Sequence, residues 1–195
     1  MSTASILDWW QITPQQLTEL VDDNPSLRGM ILGYLSEMKL REIFASDKRV
    51  TSLHKDDDHD RQKKGDLVAV YRDHTFTIES KALQTNSIKK MPNGIYTGKV
   101  QCDASDRRTI TLPDGQSVTT TCLEFGEFDI LATSLFAFRG EWVFGFIRNS
   151  DLPTSTYKKY PDAIKRQLIK TLVSVSLPIE RPFYDNPLDR DWETN

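Results

Sequence analysis

Residues 64–81 read KGDLVAVYRDHTFTIESK, in which two apolar arms flank a short polar segment. β-Branched and aromatic residues are frequent in both arms, a composition typical of β-strands, so the stretch predicts a β-hairpin. If Tyr71 pairs with His74 across a two-residue turn, the antiparallel register sets Asp66 directly opposite Glu79. The two acids then share one face at the open end of the hairpin.

The predicted hairpin separates polar from apolar side chains. Lys81 joins Asp66 and Glu79 on their face, because side chains two residues apart in a strand point to the same side. A three-residue turn would slip the register by one residue and set Asp66 opposite Ser80 instead. The other face holds apolar side chains that suit a core: Leu67, Ala69, Tyr71, Phe76 and Ile78.

Two carboxylates and an amine at one end of a hairpin indicate metal-dependent hydrolysis of a phosphodiester. Paired carboxylates raise each other's pKa unless a cation neutralises them, and Mg²⁺ takes one or two carboxylates together with waters and substrate phosphate oxygens. A lysine beside the ion could orient or help deprotonate the attacking water and stabilise a phosphorane-like transition state. An ordinary surface pair of Glu79 with Lys81 is the alternative that the residues leave open.

Gly65-Asp66, followed after twelve residues by Glu79-Ser80-Lys81, resembles the signature of the PD-(D/E)xK nuclease superfamily, the restriction-endonuclease-like fold. Gly65 stands where the family name has a proline. The resemblance implies that Asp66, Glu79 and the Ser80 backbone carbonyl bind the metal and that Lys81 assists the water. It implies Mg²⁺ as the cofactor, with Mn²⁺ as a substitute.

Two helices are predicted before the hairpin. Thr13-Pro14 predicts a capped helix that ends near residue 24, preceded by Trp9-Trp10 as a packing anchor. A longer helix is predicted from residue 26 to about residue 44. Glu37 lies at the edge of its apolar stripe. The resemblance implies that Glu37 points at the active site, and a solvated ion pair with Arg41 at i+4 is the alternative.

Residues 46–64 are charged and nearly free of apolar side chains, so they predict a solvated loop beside the proposed site. The acidic run at residues 55–60, together with His54, has the residue types of a metal site, but nothing in it fixes a ligand geometry. Lys63 and Lys64 are predicted to lie near a substrate phosphate.

Strands are predicted after the hairpin at residues 99–103, as a second hairpin at 108–112 and 117–122, and as buried central strands within 128–138 and 141–147. Gln101 is a candidate for an approach to the scissile phosphate, on the expectation that its strand lies beside the catalytic strand. Asp129 is expected to bond neighbouring backbone groups rather than to act in the site.

A basic segment follows, with a helix predicted over residues 161–172 and an extended tail from residue 176. Its cations make it the best local candidate for a DNA-backbone contact, and a solvated helix face is the alternative. The proposed nucleic-acid-binding residues are Lys158, Lys159, Lys165 and Arg166, in addition to Lys63 and Lys64.

Composition limits the class of protein. The 195 residues suit one domain, and the net charge of -3 argues against a nonspecific DNA coat protein. No apolar run approaches the ~20 residues that span a bilayer, and the N-terminus lacks the pattern of a signal peptide. The two cysteines, Cys102 and Cys122, suit a reducing cytoplasm rather than a disulfide framework.

The sequence as a whole predicts a single α/β domain over residues 1–195, with a restriction-endonuclease-like core at about 26–147 and a mixed central β-sheet flanked by α-helices. The predicted function is a Mg²⁺-dependent DNA endonuclease, either a type II restriction enzyme or a related defence or repair nuclease. A restriction enzyme would be a homodimer, since cleavage of both strands at a symmetric site needs two active sites. The alternatives are a catalytically silent nucleic-acid-binding or interaction protein on the same fold and an unrelated β-rich interaction domain.

Overall fold

The computed structural model describes residues 4–55, 65–111 and 115–187. The chain divides into two compact units, Met1–Leu35 and Ser36–Asn195. The boundary between the units falls inside the longest described helix. Each unit is therefore described by itself.

The first unit is helical. It contains α1 (Ile6–Trp10), α2 (Pro14–Asp23) and the beginning of α3 (Pro25–Ser46). The predicted cap of α2 is confirmed, because the Thr13 hydroxyl accepts the Gln16 N–H at 3.1 Å and the Gln16 side chain accepts the Thr13 N–H at 2.8 Å. The predicted packing anchor is wrong: Trp9 is 78% exposed and Trp10 52% exposed, and neither α1 nor α2 contains a buried residue against which they could pack.

The second unit contains the end of α3, ten described strands and two short helices. The strands are β1 (Val50–His54), β2 (Leu67–Tyr71), β3 (His74–Ala82), β4 (Lys89–Lys90), β5 (Tyr96–Gln101), β6 (Asp103–Thr111), β7 (Ser117–Cys122), β8 (Ile130–Ser134), β9 (Phe144–Arg148) and β10 (Leu172–Leu177), and the helices are α4 (Phe136–Arg139) and α5 (Asp162–Lys165).

The main sheet has the strand order β1-β2-β3-β8-β9. β3 and β8 run parallel, whereas the other neighbours in this sheet are antiparallel. The predicted α/β class with a mixed central sheet and flanking helices is thus confirmed. The predicted loop at 46–64 is wrong where β1 forms, because Val50–His54 pairs with β2, and residues 56–64 lie outside the described part of the chain.

Cores lie on both faces of the main sheet. All five residues of β8 are buried, and successive side chains of a strand point to opposite faces. Ile130 and Ala132 pack with Leu40 and Phe44 of α3, whereas Leu131 belongs to the core on the other face. The predicted buried central strands are confirmed, although β8 ends at Ser134 and α4 follows.

Two smaller sheets complete the second unit: β10-β5-β4 and the hairpin β6-β7. The pairing of β6 with β7 confirms the predicted second hairpin for its described strands, and residues 112–114 lie outside the described part of the chain. β5 is paired with β10 and β4 instead of lying in the sheet of β3, so the expectation that Gln101 is on a strand beside the catalytic strand in one sheet is wrong. An isolated β-bridge between Leu83 and Val100 connects the residue after β3 to β5.

The C-terminal helix is much shorter than predicted. α5 covers Asp162–Lys165, whereas the prediction extended to residue 172. The backbone beyond α5 pairs with another segment, because the Ile169 N–H donates to the Leu123 carbonyl at 2.8 Å and Leu168 forms a bridge with Glu124. Residues 172–177 then form β10, which pairs with β5. Residues 176 and 177, the first two of the predicted tail, therefore belong to a sheet.

Candidate active site

The hairpin β2-β3 has the register that the two-residue turn predicts. Arg72 and Asp73 have φ values of 46° and 65°, and two left-handed turn residues match the twist of the flanking strands. Tyr71 pairs with His74 and Leu67 with Ile78. Continuing the same register by one residue sets Asp66 opposite Glu79.

Gly65 makes the entry into this hairpin possible. Its φ of +84° is in the left-handed region, which glycine adopts without steric penalty. A Cβ at this position would lie 3.2 Å from the Ile78 carbonyl oxygen and 3.3 Å from the Ile78 nitrogen. The chain therefore needs glycine here to let the next residue, Asp66, donate its N–H to the Ile78 carbonyl at 2.8 Å.

The three polar side chains of the hairpin end meet at one site. Asp66 Oδ2 accepts the Ser80 backbone N–H at 2.7 Å, and Lys81 Nζ lies 2.7 Å from Glu79 Oε1. The Glu79 and Lys81 side chains are 14% and 25% exposed, respectively. The site is thus partly shielded from water, and interactions between its charges are stronger than they would be on an open surface.

Electrostatics at the site favour a proton or a cation on Asp66. Burial, together with the adjacent charge of Glu79, raises the pKa of Asp66 to about 7, although the Ser80 hydrogen bond and Lys81 act in the opposite direction. Burial alone would lower the pKa of Lys81, but the charge and hydrogen bond of Glu79 and the charge of Asp66 raise it above its ordinary value. Lys81 is therefore an ammonium at neutral pH.

The end of α3 brings two more residues to the site. The charge of Glu37 contributes to the raised pKa of Asp66, which places this acid near the hairpin end. Lys55 Nζ lies 2.6 Å from Glu37 Oε2, so the partner of Glu37 is Lys55 after β1 and not the predicted Arg41. The buried Ser36 hydroxyl lies 3.5 Å from the Ser80 hydroxyl and connects α3 to β3.

The sequence did not indicate Lys55 or Ser36 as residues of the site. Lys55 belongs to a charged stretch without apolar periodicity, so its only signal was its place in the sequence before Asp66. Ser36 directly precedes Glu37 in α3, and a buried serine at the strand-facing side of a helix has no sequence signature of its own.

Cys102 is close enough to the site that the charges of Lys81 and Glu79 both act on its thiol. Burial raises the pKa of Cys102 to about 12, so the thiol stays protonated and is not a nucleophile.

Gln101, the candidate for an approach to the phosphate, bonds to side chains near it in the sequence and across β5. The Gln84 amide N–H donates to the Gln101 Oε1 atom, and the Gln101 amide N–H donates to Asp103 Oδ2 at 2.9 Å.

Asp129 bonds neighbouring groups of β3, as the sequence suggested. Its Oδ2 atom accepts the Thr77 backbone N–H at 2.7 Å and the Thr77 hydroxyl at 2.8 Å. Asp129 is exposed rather than buried. These bonds hold the start of β8 beside β3 and leave Asp129 with a positioning role in the sheet.

The oxygen donors at the hairpin end are of the type that Mg²⁺ takes. Asp66 holds a carboxyl whose pKa is raised, and within the described ranges its Oδ1 atom accepts no hydrogen bond. Mg²⁺ is bound through one or two carboxylates with waters completing the shell, which Asp66, Glu79 and the Ser80 carbonyl would satisfy. No group of three or more His, Cys, Asp and Glu side chains suited to holding an ion is found among the described residues.

The predicted nucleic-acid-binding residues do not form one cluster in the described part of the chain. Lys158 and Lys159 are exposed and line a cleft of about 990 Å³. Neither Lys165 nor Arg166 lines this cleft. The Lys165 Nζ atom instead lies 2.9 Å from Asp162 Oδ1. Lys63 and Lys64 lie outside the described residues.

Neither a protein-family model nor a curated protein matches the chain. Among solved structures, the chain is similar to the bacterial homing endonuclease I-Ssp6803I, with 14% sequence identity and a TM-score of 0.38. The similarity covers 69% of this chain and 85% of that one. Within residues 4–55, 65–111 and 115–187, no helix is both long enough and apolar enough to cross a membrane.

Proposed function

We propose that this protein is a Mg²⁺-dependent DNA endonuclease that hydrolyses phosphodiester bonds, as a type II restriction enzyme or a related defence or repair nuclease. The observation that supports this proposal most directly is the partly shielded end of the hairpin. There Asp66 faces Glu79, and Lys81 lies 2.7 Å from Glu79. A structural ion pair needs only one acid for its lysine, whereas the second acid here has a raised pKa and forms no ion pair of its own among the described residues.

Asp66, Glu79 and the Ser80 carbonyl would hold the metal, which would supply Lewis-acid polarisation of the scissile phosphate. Asp66 is oriented for this role by the Ser80 N–H, which fixes one of its oxygens. Mn²⁺ would substitute, because it also takes oxygen ligands.

Lys81 would act as a donor. Since its pKa is raised, the ammonium keeps its proton at neutral pH and orients the attacking water or stabilises charge on the phosphate. It would not act as the general base while Glu79 remains ionised beside it. Glu37 would support the site from α3, with its own charge balanced by Lys55.

Cleavage of long genomic DNA tests the proposal, because such DNA contains most short recognition sequences. The wild type with Mg²⁺ is expected to fragment the DNA, whereas EDTA, Asp66→Ala and Lys81→Ala each abolish fragmentation. Lys99→Ala, an exposed lysine of β5, is the matched control and should cleave like the wild type.

Calorimetric titration with Mg²⁺ accompanies the cleavage assay. Absence of both cleavage and metal binding would contradict the proposal and favour a catalytically silent nucleic-acid-binding protein. Sedimentation of the active protein tests the further expectation that a restriction enzyme of this kind is a homodimer.

A further inference from the structure

A basic cleft of about 990 Å³ lies between β7, residues 155–160 and the start of β10, and none of Asp66, Glu79 and Lys81 lines it. Four cationic side chains line it, and none of its lining residues is acidic; the cations are Arg107, Lys158, Lys159 and Lys170. Within the described ranges, none of the four forms an ion pair with a carboxylate. Their charges are therefore available to an anionic ligand, and phosphate groups are a ligand that such a cluster would attract.

An aromatic pair stands in the same cleft. The Tyr160 hydroxyl donates to Thr120 Oγ1 at 2.9 Å, which fixes that ring against β7. Tyr157 packs against it with ring centroids 4.8 Å apart at an interplanar angle of 70°. Tyr157 is nevertheless 50% exposed, so a supported ring keeps much of its surface open to a ligand.

One backbone hydrogen bond connects the cleft to the surroundings of the proposed active site. Thr171, one of its lining residues, accepts the Cys102 N–H at 2.7 Å, and the Cys102 thiol is within the electrostatic reach of Lys81. The cleft and the hairpin end therefore belong to one unit and are connected through the buried Cys102.

We propose that the basic cleft binds a single strand of DNA, with its phosphates at the cations and an unstacked base on Tyr157. This inference rests on the proposed function, since the bound strand would be part of the substrate. A volume of about 990 Å³ is at the upper limit of the roughly 300–1,000 Å³ of pockets for small ligands, so the cleft has room for a few nucleotides. Paired bases are stacked inside a duplex, and only an unpaired base offers its face to a tyrosine.

The substrate class follows from this geometry. DNA with an unpaired segment beside the cleaved bond, such as a flap, a junction, a bubble or a base turned out of its duplex, would engage both the cleft and the hairpin end. Fully paired DNA would engage the hairpin end alone. Partly unpaired DNA is therefore expected to bind more tightly and to be cleaved faster than fully paired DNA, which the hairpin end still cleaves.

Fluorescence anisotropy in EDTA tests the inference with an oligothymidine of about 12 nucleotides and a duplex of the same length. The wild type is expected to bind the single strand more tightly than the duplex. Tyr157→Ala should weaken single-strand binding about 10-fold and duplex binding less than about 2-fold, and Tyr157→Phe should retain the wild-type affinity. Lys158→Ala/Lys159→Ala should weaken the single strand and reduce the salt dependence of its binding.

Lys89→Ala/Lys90→Ala is the matched control, since it removes two adjacent exposed lysines of β4 that do not line the cleft. The inference is overturned if the single strand does not bind, if Tyr157→Ala leaves its affinity unchanged, or if the two lysine double variants weaken it equally. If Tyr157→Ala does not fold, the comparison of these two double variants decides.

Failure of this inference can be told apart from failure of the proposed function. Asp66→Ala is expected to bind the single strand like the wild type while its cleavage of genomic DNA is lost. Cleavage by the wild type without single-strand binding would overturn the cleft alone. Single-strand binding that depends on Tyr157, without cleavage of either genomic DNA or a flap substrate in Mg²⁺ or Mn²⁺, would support the cleft and contradict the nuclease.

Discussion

Asp66 Oδ2 accepts a 2.7 Å hydrogen bond from the backbone N–H of Ser80 on the opposite strand of the hairpin. Ser80 directly follows Glu79, so the position of one acid is tied to the backbone that presents the other. A carboxylate fixed by a backbone donor loses less conformational freedom on binding a metal than one on a free rotamer. The hairpin therefore orients the proposed metal ligands before any ion arrives.

Gly65 should be the more sensitive of two glycines with almost the same backbone conformation. Gly65 and Gly94 have φ values of +84° and +85°, so alanine pays the left-handed penalty of about 1–2 kcal/mol at both positions. Only at Gly65 does a Cβ also meet backbone, 3.2 Å from the Ile78 carbonyl oxygen. We expect Gly65→Ala to lower the free energy of unfolding by at least about 1 kcal/mol more than Gly94→Ala in urea denaturation. Equal losses in the free energy of unfolding would show that the backbone of β3 moves away from the added Cβ at little energetic cost.

Asp66→Asn should stabilise the metal-free protein at alkaline pH. The pKa of Asp66 in the folded protein is about 7, against 3.8 for an unperturbed aspartate. The folded state therefore binds this proton more tightly than the unfolded state, and the resulting stability is present at low pH and is lost as the pH rises from about 4 to about 7. In EDTA at pH 8, asparagine avoids the buried charge and should raise the free energy of unfolding by on the order of 2 kcal/mol.

Asp47→Asn is a control that should lower the stability of the protein, whereas Asp66→Asn should raise it. Hydrogen bonds from Arg49 lower the pKa of Asp47 to about 2, so its stabilising effect is present above pH 4 and is lost as the pH falls. Thermal melts at pH 5 and pH 8 distinguish the two. A similar change in stability for Asp66→Asn at both pH values would contradict the raised pKa of Asp66.

The hairpin could be predicted from sequence because its information is local. Alternating side chains and a two-residue turn fix the register between Tyr71 and His74, and that register alone determines which residues face Asp66. Alternation accounts for the burial of Leu67, Ala69, Tyr71 and Ile78. It does not account for Val68, which is buried on the other face, or for Phe76, which is only partly buried. Periodicity and turn length were sufficient here, because strand and partner are adjacent in the chain.

The C-terminal region could not be predicted, because its structure depends on distant partners. Ile164, Leu168 and Leu172 have the spacing of an amphipathic helix, and local propensity favoured that interpretation. The backbone of residues 168–169 instead pairs with Leu123 and Glu124. Tertiary hydrogen bonds thus override the local pattern. The sequence indicated Lys158 and Lys159 of the basic cleft, but not Arg107 and Lys170, which join them only in the folded chain.

Glu37→Gln should reduce DNA cleavage far more than Glu42→Gln. Both acids are on α3 and both pair with a lysine, Glu37 with Lys55 at 2.6 Å and Glu42 with Lys39 at 2.8 Å. Only Glu37 acts electrostatically on Asp66. We expect a loss of about 10-fold or more for Glu37→Gln in initial cleavage rates and less than about 2-fold for Glu42→Gln.

Lys55→Ala provides a second readout for the same acid. Removing Lys55 leaves the charge of Glu37 without its cation, which should raise the pKa of Asp66 further. The pH at which cleavage reaches half of its maximum should then move upward relative to the wild type. An unchanged pH profile would mean that Glu37 and Asp66 are not coupled in the working enzyme.

Mg²⁺ should stabilise the folded protein more at pH 8 than at pH 5.5. A ligand that binds only the native state raises stability according to the ratio of its concentration to its dissociation constant, by about 2.7 kcal/mol at a hundredfold excess. Below pH 7 the ion must displace the proton on Asp66, which weakens its binding. We therefore expect the Tm increase on addition of Mg²⁺ to be several degrees at pH 8 and small at pH 5.5. In Asp66→Asn, which has neither the charge nor the titration, the ion should produce little increase at either pH. An increase that is equally large in the variant would place the metal elsewhere in the molecule.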